Sequence, residues 1–190
     1  MSKNRGFTLI EMMVVLAIFS IVIGIAYTAL SLNETYRDLV LTKIQLYRQN
    51  KRAIDTITAE LQRSAATHWT IIDGGGSSPD IIRFQTPLVN SMDAQYNIPW
   101  GARHGNTDYP NFFIQYKLSG TQLIREVVDG GGVIQAGTQR VIAENISNLQ
   151  FTNLNPLDSD YIRITMESQR STIQRRIINA NLVSTVFLRN

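Results

Sequence analysis

The pattern of hydrophobic and polar residues divides the chain into an apolar segment, a helical middle and a strand-rich remainder. From residue 7 to residue 32 nearly every position is apolar, and Glu11 is the one ionisable residue. The uncharged stretch after Glu11 is about 21 residues long, or about 31 Å as a helix, which matches a bilayer hydrocarbon core of about 30 Å. The pattern therefore predicts a transmembrane helix.

The charges on either side of this segment predict its orientation. Lys3 and Arg5 precede it, whereas Glu34, Arg37 and Asp38 follow it with mixed sign. Positively charged flanks of a membrane helix tend to stay in the cytoplasm. We therefore expect the amino terminus to be cytoplasmic and the rest of the chain to lie on the other side of the membrane.

The middle of the chain is typical of a long amphipathic helix. It has no Gly or Pro between Gly24 and Gly74. Polar residues such as Asn50 and Glu60 fall largely off its apolar stripe, and we expect the stripe to lie on a head domain. A continuous helix from Phe7 to about Ser64 would be about 87 Å long. The stripe consists of Val40, Ile44, Tyr47, Ile54, Ile57, Leu61 and Ala65.

After the Gly- and Ser-rich residues 73–79 the hydrophobic period changes to two, which indicates β-strands. The Ser119-Gly120 pair predicts a hairpin turn between two of them. The segment 86–111 contains three prolines and is predicted to be disordered or a contact loop. The expected fold is α+β, with a long N-terminal transmembrane stem helix packed on an antiparallel β-sheet head. Strands are expected at residues 81–85, 112–118, 123–128, 146–154, 161–167 and 177–188.

Glu11 argues against the two simplest interpretations of the apolar segment. A conventional secretory signal has an uninterrupted apolar region and a small-residue cleavage site, and the sequence Ala-Tyr-Thr at 26–28 fits such a site poorly. A plain single-pass anchor gains nothing from a carboxylate inside its apolar part. The acid therefore requires another explanation.

Residues 5–11, Arg-Gly-Phe-Thr-Leu-Ile-Glu, carry such an explanation. They resemble the class III signal of type IV pilins and type II secretion pseudopilins, with the Gly, Phe, Thr, Leu and Glu in register. The resemblance implies that a prepilin peptidase cuts between Gly6 and Phe7 and methylates the new amine of Phe7. The chain would then consist of a leader (1–6), a membrane and filament-core segment (7–32), and the outer half of the stem with the head (33–190).

The same chemistry gives Glu11 and Thr8 a role in assembly. Cleavage creates a cationic amine at Phe7, and Glu11 of one subunit can neutralise the amine of a neighbour, so that two charges too costly alone become tolerable together. The Thr8 hydroxyl can bond backbone groups that are left unpaired in the first helical turn.

Further along the chain, residues 116–125, 143–151 and 186–190 resemble the J-type minor pseudopilin and the related W-type minor pilin. No Pro occurs before Pro79, which favours a minor subunit over a major pilin. The resemblance implies a tip or initiation subunit, single-pass in the bacterial inner membrane, with a periplasmic head. Implied partners are I-type and K-type subunits, a major pilin or pseudopilin, the inner-membrane assembly platform and prepilin peptidase.

Two other functions stay open at this level. The first is a W-type minor pilin of a type IV pilus, acting in assembly, adhesion, motility or DNA uptake. The second is a single-pass membrane-anchored enzyme or binding module. The Arg5-Gly6-Phe7 junction together with Glu11 favours a filament subunit over the anchored enzyme.

The amino-acid composition limits the kinds of binding site and reaction that the chain can support. Eighteen Lys and Arg against fifteen Asp and Glu give a net charge of +3, which disfavours dedicated nucleic-acid binding. The absence of cysteine excludes disulfides, thiolate metal sites and cysteine nucleophiles. His68 and His104 lack the spacing of metal ligands, so we expect no enzyme activity, no metal and no cofactor. Asp158 and Asp160 are the only candidates for calcium ligands, and two acids are fewer than a dedicated loop uses.

Overall fold

The computed structural model describes residues 8–65, 67–75, 79–92, 97–154, 161–172 and 175–188. Within them lie one long helix, α1 (Leu9–Leu61), a short 3-10 helix (Val89–Ser91) and eleven strands. The strands are β1 (Trp69–Ile72), β2 (Ile81–Phe84), β3 (Thr86–Pro87), β4 (Trp100–His104), β5 (Thr107–Pro110), β6 (Phe113–Ser119), β7 (Gln122–Val128), β8 (Arg140–Ala143), β9 (Ile146–Asn153), β10 (Tyr161–Ser171) and β11 (Ile177–Phe187).

Helix α1 is unbroken over 53 residues, which corresponds to about 80 Å. The expectation of one continuous helix from the apolar segment into the head is confirmed. The helix ends at Leu61, three residues before the predicted end, and Gln62 forms its C-terminal cap.

The strands form three antiparallel sheets, with the orders β1-β2-β6-β7-β8, β11-β10-β9 and β3-β4-β5. Helix α1 packs against the first two, so the predicted α+β architecture is confirmed. The hairpin of β6 and β7 turns at Gly120, whose φ of +60° suits glycine. Along β10, Ile162, Ile164 and Met166 are fully buried, in agreement with the alternation in the sequence.

The prediction that residues 86–111 are disordered or a contact loop is wrong for most of the segment. They contain β3, the 3-10 helix, β4 and β5, with residues 93–96 outside the described part of the chain. Pro87 and Pro110 lie in the two edge strands of the small sheet, where a missing N–H costs the sheet little. Gly101 on β4 is needed because a Cβ there would overlap the Tyr109 carbonyl.

The face of α1 that contacts the head differs in part from the predicted stripe. Val40, Ile44 and Tyr47 are 54%, 40% and 52% exposed, so their predicted contact with the head is wrong. Asn50, predicted to be off the stripe, is buried because its Nδ2 donates to the Ser168 hydroxyl at 2.9 Å. The buried residues of α1 are Thr42, Leu46, Asn50, Ala53, Ile54, Ile57 and Leu61.

Asp80 joins the two larger sheets. Its carboxylate accepts from the Phe151 N–H at 2.8 Å and from the Gly74 N–H at 3.2 Å, and its own N–H donates to the Leu149 carbonyl at 3.0 Å. Asp80 immediately precedes β2, and the other two strand residues belong to β9. Asp80 therefore satisfies two backbone groups on β9, one through its carboxylate and one through its own N–H, and ties β9 to the neighbouring sheet.

A second buried carboxylate lies on the first sheet. Glu126 on β7 is fully buried and accepts from Lys117 Nζ at 2.7 Å, Gln115 Nε2 at 2.6 Å and Gln139 Nε2 at 2.9 Å. Gln115 and Lys117 lie two residues apart on β6, and both contact Glu126 on the same face of the sheet. Gln115 is only 3% exposed, so this face is covered and its polar groups pair with one another.

Candidate functional site

The first turn of α1 brings together two of the sequence-predicted site residues. Thr8 is the N-cap, and its hydroxyl accepts from the Glu11 N–H at 3.3 Å. Glu11 reaches back with Oε2, which accepts from the Thr8 N–H at 2.8 Å and from the Thr8 hydroxyl at 3.0 Å. This is a reciprocal capping box, which satisfies two of the backbone donors that a helix start leaves unpaired.

The capping box uses only one oxygen of the Glu11 carboxylate. Both bonds from Thr8 go to Oε2, and Oε1 has no hydrogen-bond partner among the described residues. The side chain is exposed in the single chain. Glu11 can therefore hold the helix start and still accept from a donor on another molecule.

The apolar part of α1 is not covered by any other residue in the described part of the chain. Its large apolar side chains from Leu9 to Leu32 are 52% to 82% exposed. By length and composition the helix can cross a membrane, and none of its most apolar stretch is buried in the protein. Uncovered apolar surface of this size requires lipid or other protein around it.

A second uncovered surface continues along α1 beyond the apolar segment. Tyr36, Val40, Ile44 and Tyr47 are each at least 40% exposed. Their spacing of three or four residues places them on one face of the helix, and we call them the outer stripe. The outer stripe lies beside the face that contacts the head, so α1 has two apolar faces in its second half and the head covers only one.

The remaining predicted site residues lie outside the described part of the chain. These are Gly6 and Phe7 at the expected processing junction, and Asp158 and Asp160 as candidate calcium ligands. Their roles, and the assembly role of Thr8 and Glu11, stay predictions. Among the residues that are described, no three His, Cys, Asp or Glu residues come together as a metal-binding group would.

The two histidines lie in different surroundings. The His68 ring stacks on Trp100 with centroids 4.0 Å apart, so its ring packs against the small sheet. His104 ends β4 and lines a cleft between that sheet and the end of α1.

A cluster at the far end of α1 was missed by sequence reasoning. Glu60 accepts from Arg125 Nε at 3.0 Å with each carboxylate oxygen, and from the Tyr116 hydroxyl at 2.9 Å. Burial, and then the Glu60 charge, raise the pKa of Tyr116 well above its usual value, so the phenol stays protonated as a donor. Pattern alone assigned Glu60 to the polar side of the helix, and only the β6-β7 pairing places its partners there.

Comparison with known proteins bears on the amino-terminal segment. Residues 1–27 match the family model described as the prokaryotic N-terminal methylation motif. The motif supports a type IV pilin-like protein with a single N-terminal membrane anchor, and it implies processing by a prepilin peptidase and assembly with other pilins. Searches for similar curated proteins and for similar solved structures give no match.

Proposed function

We propose that the protein is a J-type minor pseudopilin at the tip of a type II secretion pseudopilus, where it acts in assembly initiation and protein export. In this proposal the subunit works through protein contacts and turns over no substrate. The observation that carries the filament role is the helix start. Glu11 caps the helix and keeps one carboxylate oxygen unbonded among the described residues, at the start of an apolar helix that the described part of the chain leaves uncovered.

The outer stripe supports packing against other stems. A lone membrane anchor needs apolar side chains only within the bilayer, whereas Val40, Ile44 and Tyr47 come after the charged residues that follow the apolar segment. An exposed apolar face on a helix is stabilised when a second helix covers it. In a filament, stems of neighbouring subunits run side by side and would cover this face.

The subtype rests on the resemblance of residues 116–125, 143–151 and 186–190. The described residues of these segments lie in β6, β7, β8, β9 and β11, and β6 and β7 form a hairpin. The W-type minor pilin shares these features. The identity of the neighbouring subunits separates the two, and the I-type and K-type partners are those expected for a pseudopilus.

Cross-linking through the outer stripe tests the proposal directly. The native chain has no cysteine, so Ile44→Cys introduces a single thiol on an exposed face. In cells that contain the filament machinery, a thiol cross-linker should join this residue to neighbouring stem-bearing subunits, which mass spectrometry identifies. Arg52→Cys, exposed but outside the outer stripe, is the control and should cross-link at least about fivefold less.

The partner that is captured decides between the alternatives. I-type and K-type pseudopilins support the proposal, and minor or major subunits of a retractable pilus replace it with the W-type alternative. Equal cross-linking at both positions, or none at either, contradicts packing through the outer stripe.

Processing of the leader is a separate expectation. Protein extracted from membranes should lack its first six residues and carry one methyl group on the amine of Phe7, because the Gly6-Phe7 bond joins the basic leader to the apolar helix. Intact mass measurement detects both changes. Protein from cells without a prepilin peptidase is the control and should retain the leader. An intact Met1 in cells that contain the peptidase would refute the processing.

A further inference from the structure

A large cleft lies between the end of α1 and the small sheet of β3, β4 and β5. Its volume is about 1130 Å³. One wall is the end of the helix with Arg63, a second is β4 with Arg103, and Arg125 and Arg140 come from β7 and β8. We call it the arginine cleft. Among the described residues, the four arginines share their lining with a single carboxylate, that of Glu60.

The Glu60 charge is already matched within the protein. Arg125 is 7% exposed and bonds both carboxylate oxygens, while its Nη2 donates to the Arg103 carbonyl at 2.8 Å. This pair fixes the wall of the cleft and contributes almost no net charge. The positive charge of the remaining arginines is therefore not cancelled by Glu60.

Two of the remaining guanidinium groups are available to a ligand. The side chains of Arg63 and Arg140 are exposed and make no ion pair or hydrogen bond within the described part of the chain. Arg103, in contrast, contacts Asp108 at 3.4 Å. The end of α1 adds about half a negative charge nearby, which one arginine outweighs. The mouth of the cleft is therefore positive.

The lining also has an apolar part. Leu88 and Ile114 are each 2% exposed, and the partly exposed Trp100 also lines the cleft. A guanidinium group binds a carboxylate with two parallel hydrogen bonds. The chemistry therefore suits a chain that presents carboxylates at intervals with small or apolar residues between them.

We propose that the arginine cleft binds an acidic polypeptide segment of a partner protein. Its volume exceeds the range of about 300–1,000 Å³ that is usual for small-molecule sites. A nucleic acid would need a longer positive track along its phosphates than two available guanidinium groups provide. The inference rests on the proposed function in one respect, since the partner is taken to be a protein that meets the head outside the membrane.

Binding of a defined peptide by the full-length protein in neutral detergent tests this without requiring filaments. The probe is a fluorescent peptide of alternating Glu and Ala, and its Gln-Ala counterpart is the uncharged control. The double variant Arg63→Gln with Arg140→Gln should weaken Glu-Ala binding by about tenfold or more. It removes the two guanidinium groups that would bind the carboxylates of the peptide. The matched variant, Arg48→Gln with Arg163→Gln, removes two exposed arginines that do not line the cleft and should change binding by less than about twofold.

The remaining outcomes overturn the proposal. They are equal weakening by the two double variants, equal binding of the Gln-Ala peptide, and no binding at about 1 mM peptide. A single-stranded oligonucleotide that binds more tightly and depends on Arg63 and Arg140 would replace the acidic segment with a nucleic acid. Because assembly is not measured, failure here leaves the cross-linking result intact, and failure of cross-linking leaves the peptide result intact.

Discussion

Glu11→Gln is expected to lower incorporation of the subunit into filaments by at least about tenfold, while the protein remains stable and membrane-inserted. The substitution removes the negative charge but keeps an amide oxygen that can serve in a capping box. The amine of a neighbouring subunit would then lie in apolar surroundings without a counter-charge, which is strongly unfavourable. Quantitative immunoblotting of sheared filament fractions against total membrane protein measures the effect.

Thr8→Ala provides the matched control for the charge. It removes the hydroxyl that accepts from the Glu11 N–H, so it weakens the helix cap but leaves the carboxylate in place. Incorporation should fall much less than with Glu11→Gln. The opposite result, with Glu11→Gln assembling normally and Thr8→Ala failing, would show that Glu11 acts only as a cap. Normal assembly of Glu11→Val would also contradict the charge-pair account.

Lys117→Met is expected to lower the thermal unfolding midpoint of the head by about 6–20 °C. Lys117 is the cationic partner of Glu126, which is fully buried. Removing one partner of a buried ion pair costs about 3–5 kcal/mol, because the other charge stays desolvated. For a domain of this size, 1 kcal/mol corresponds to about 2–4 °C. Thermal melting of the detergent-solubilised protein by circular dichroism, followed in the β-sheet region, measures the shift.

Two further variants test whether the loss of stability comes from leaving the buried Glu126 charge unpaired. Lys117→Met combined with Glu126→Gln removes both charges and should restore much of the lost stability, since Gln can still accept from Gln115 or Gln139. Lys51→Met breaks an ion pair of 2.6 Å whose side chains are each 56% exposed, and it should leave the melting midpoint unchanged. If Lys117→Met and Lys51→Met lowered the melting midpoint equally, burial of Glu126 would add nothing to the cost of losing its cationic partner.

The hydrophobic pattern of the sequence predicted those helices and strands that depend mainly on neighbouring residues. The absence of Gly and Pro after Gly24 indicated an unbroken stem, and the alternation in residues 161–167 gave both β10 and its buried face. The hairpin followed from Ser119-Gly120. Outside the segment 86–111, the strands that were missed are β1 and β8, which have four residues each. Four residues are too few for alternation to stand out from chance.

The segment 86–111 was misjudged because proline was counted as a sign of a loop. Pro87 and Pro110 are compatible with strands at the edge of a sheet, and the sequence does not show which strands are edges. The predicted stem stripe failed for a similar reason. Val40, Ile44 and Tyr47 are as apolar as the residues that face the head, and only the packing of β10 and β11 decides which face is covered.

The buried polar side chains could not be predicted from the sequence, for a further reason. Asn50, Glu60, Asp80 and Glu126 belong to residue types that usually lie at the surface. Each is buried or partly buried because a partner from a distant part of the chain satisfies it, such as Ser168 for Asn50 and Phe151 for Asp80. Contacts of this kind depend on tertiary pairing, which no local period encodes.

Asn50 and Glu60 together fix how far the head stands from the membrane. Both lie on α1, ten residues or about 15 Å apart, and each bonds a different sheet. If the head moved along the helix by one turn, the buried Asn50 amide and the partly buried Glu60 carboxylate would both lose their partners. Glu60 lies about 42 Å along the helix axis from Leu32, and this spacing allows no gradual adjustment. Every copy of the protein therefore holds its arginine cleft at the same distance along α1 from the apolar segment.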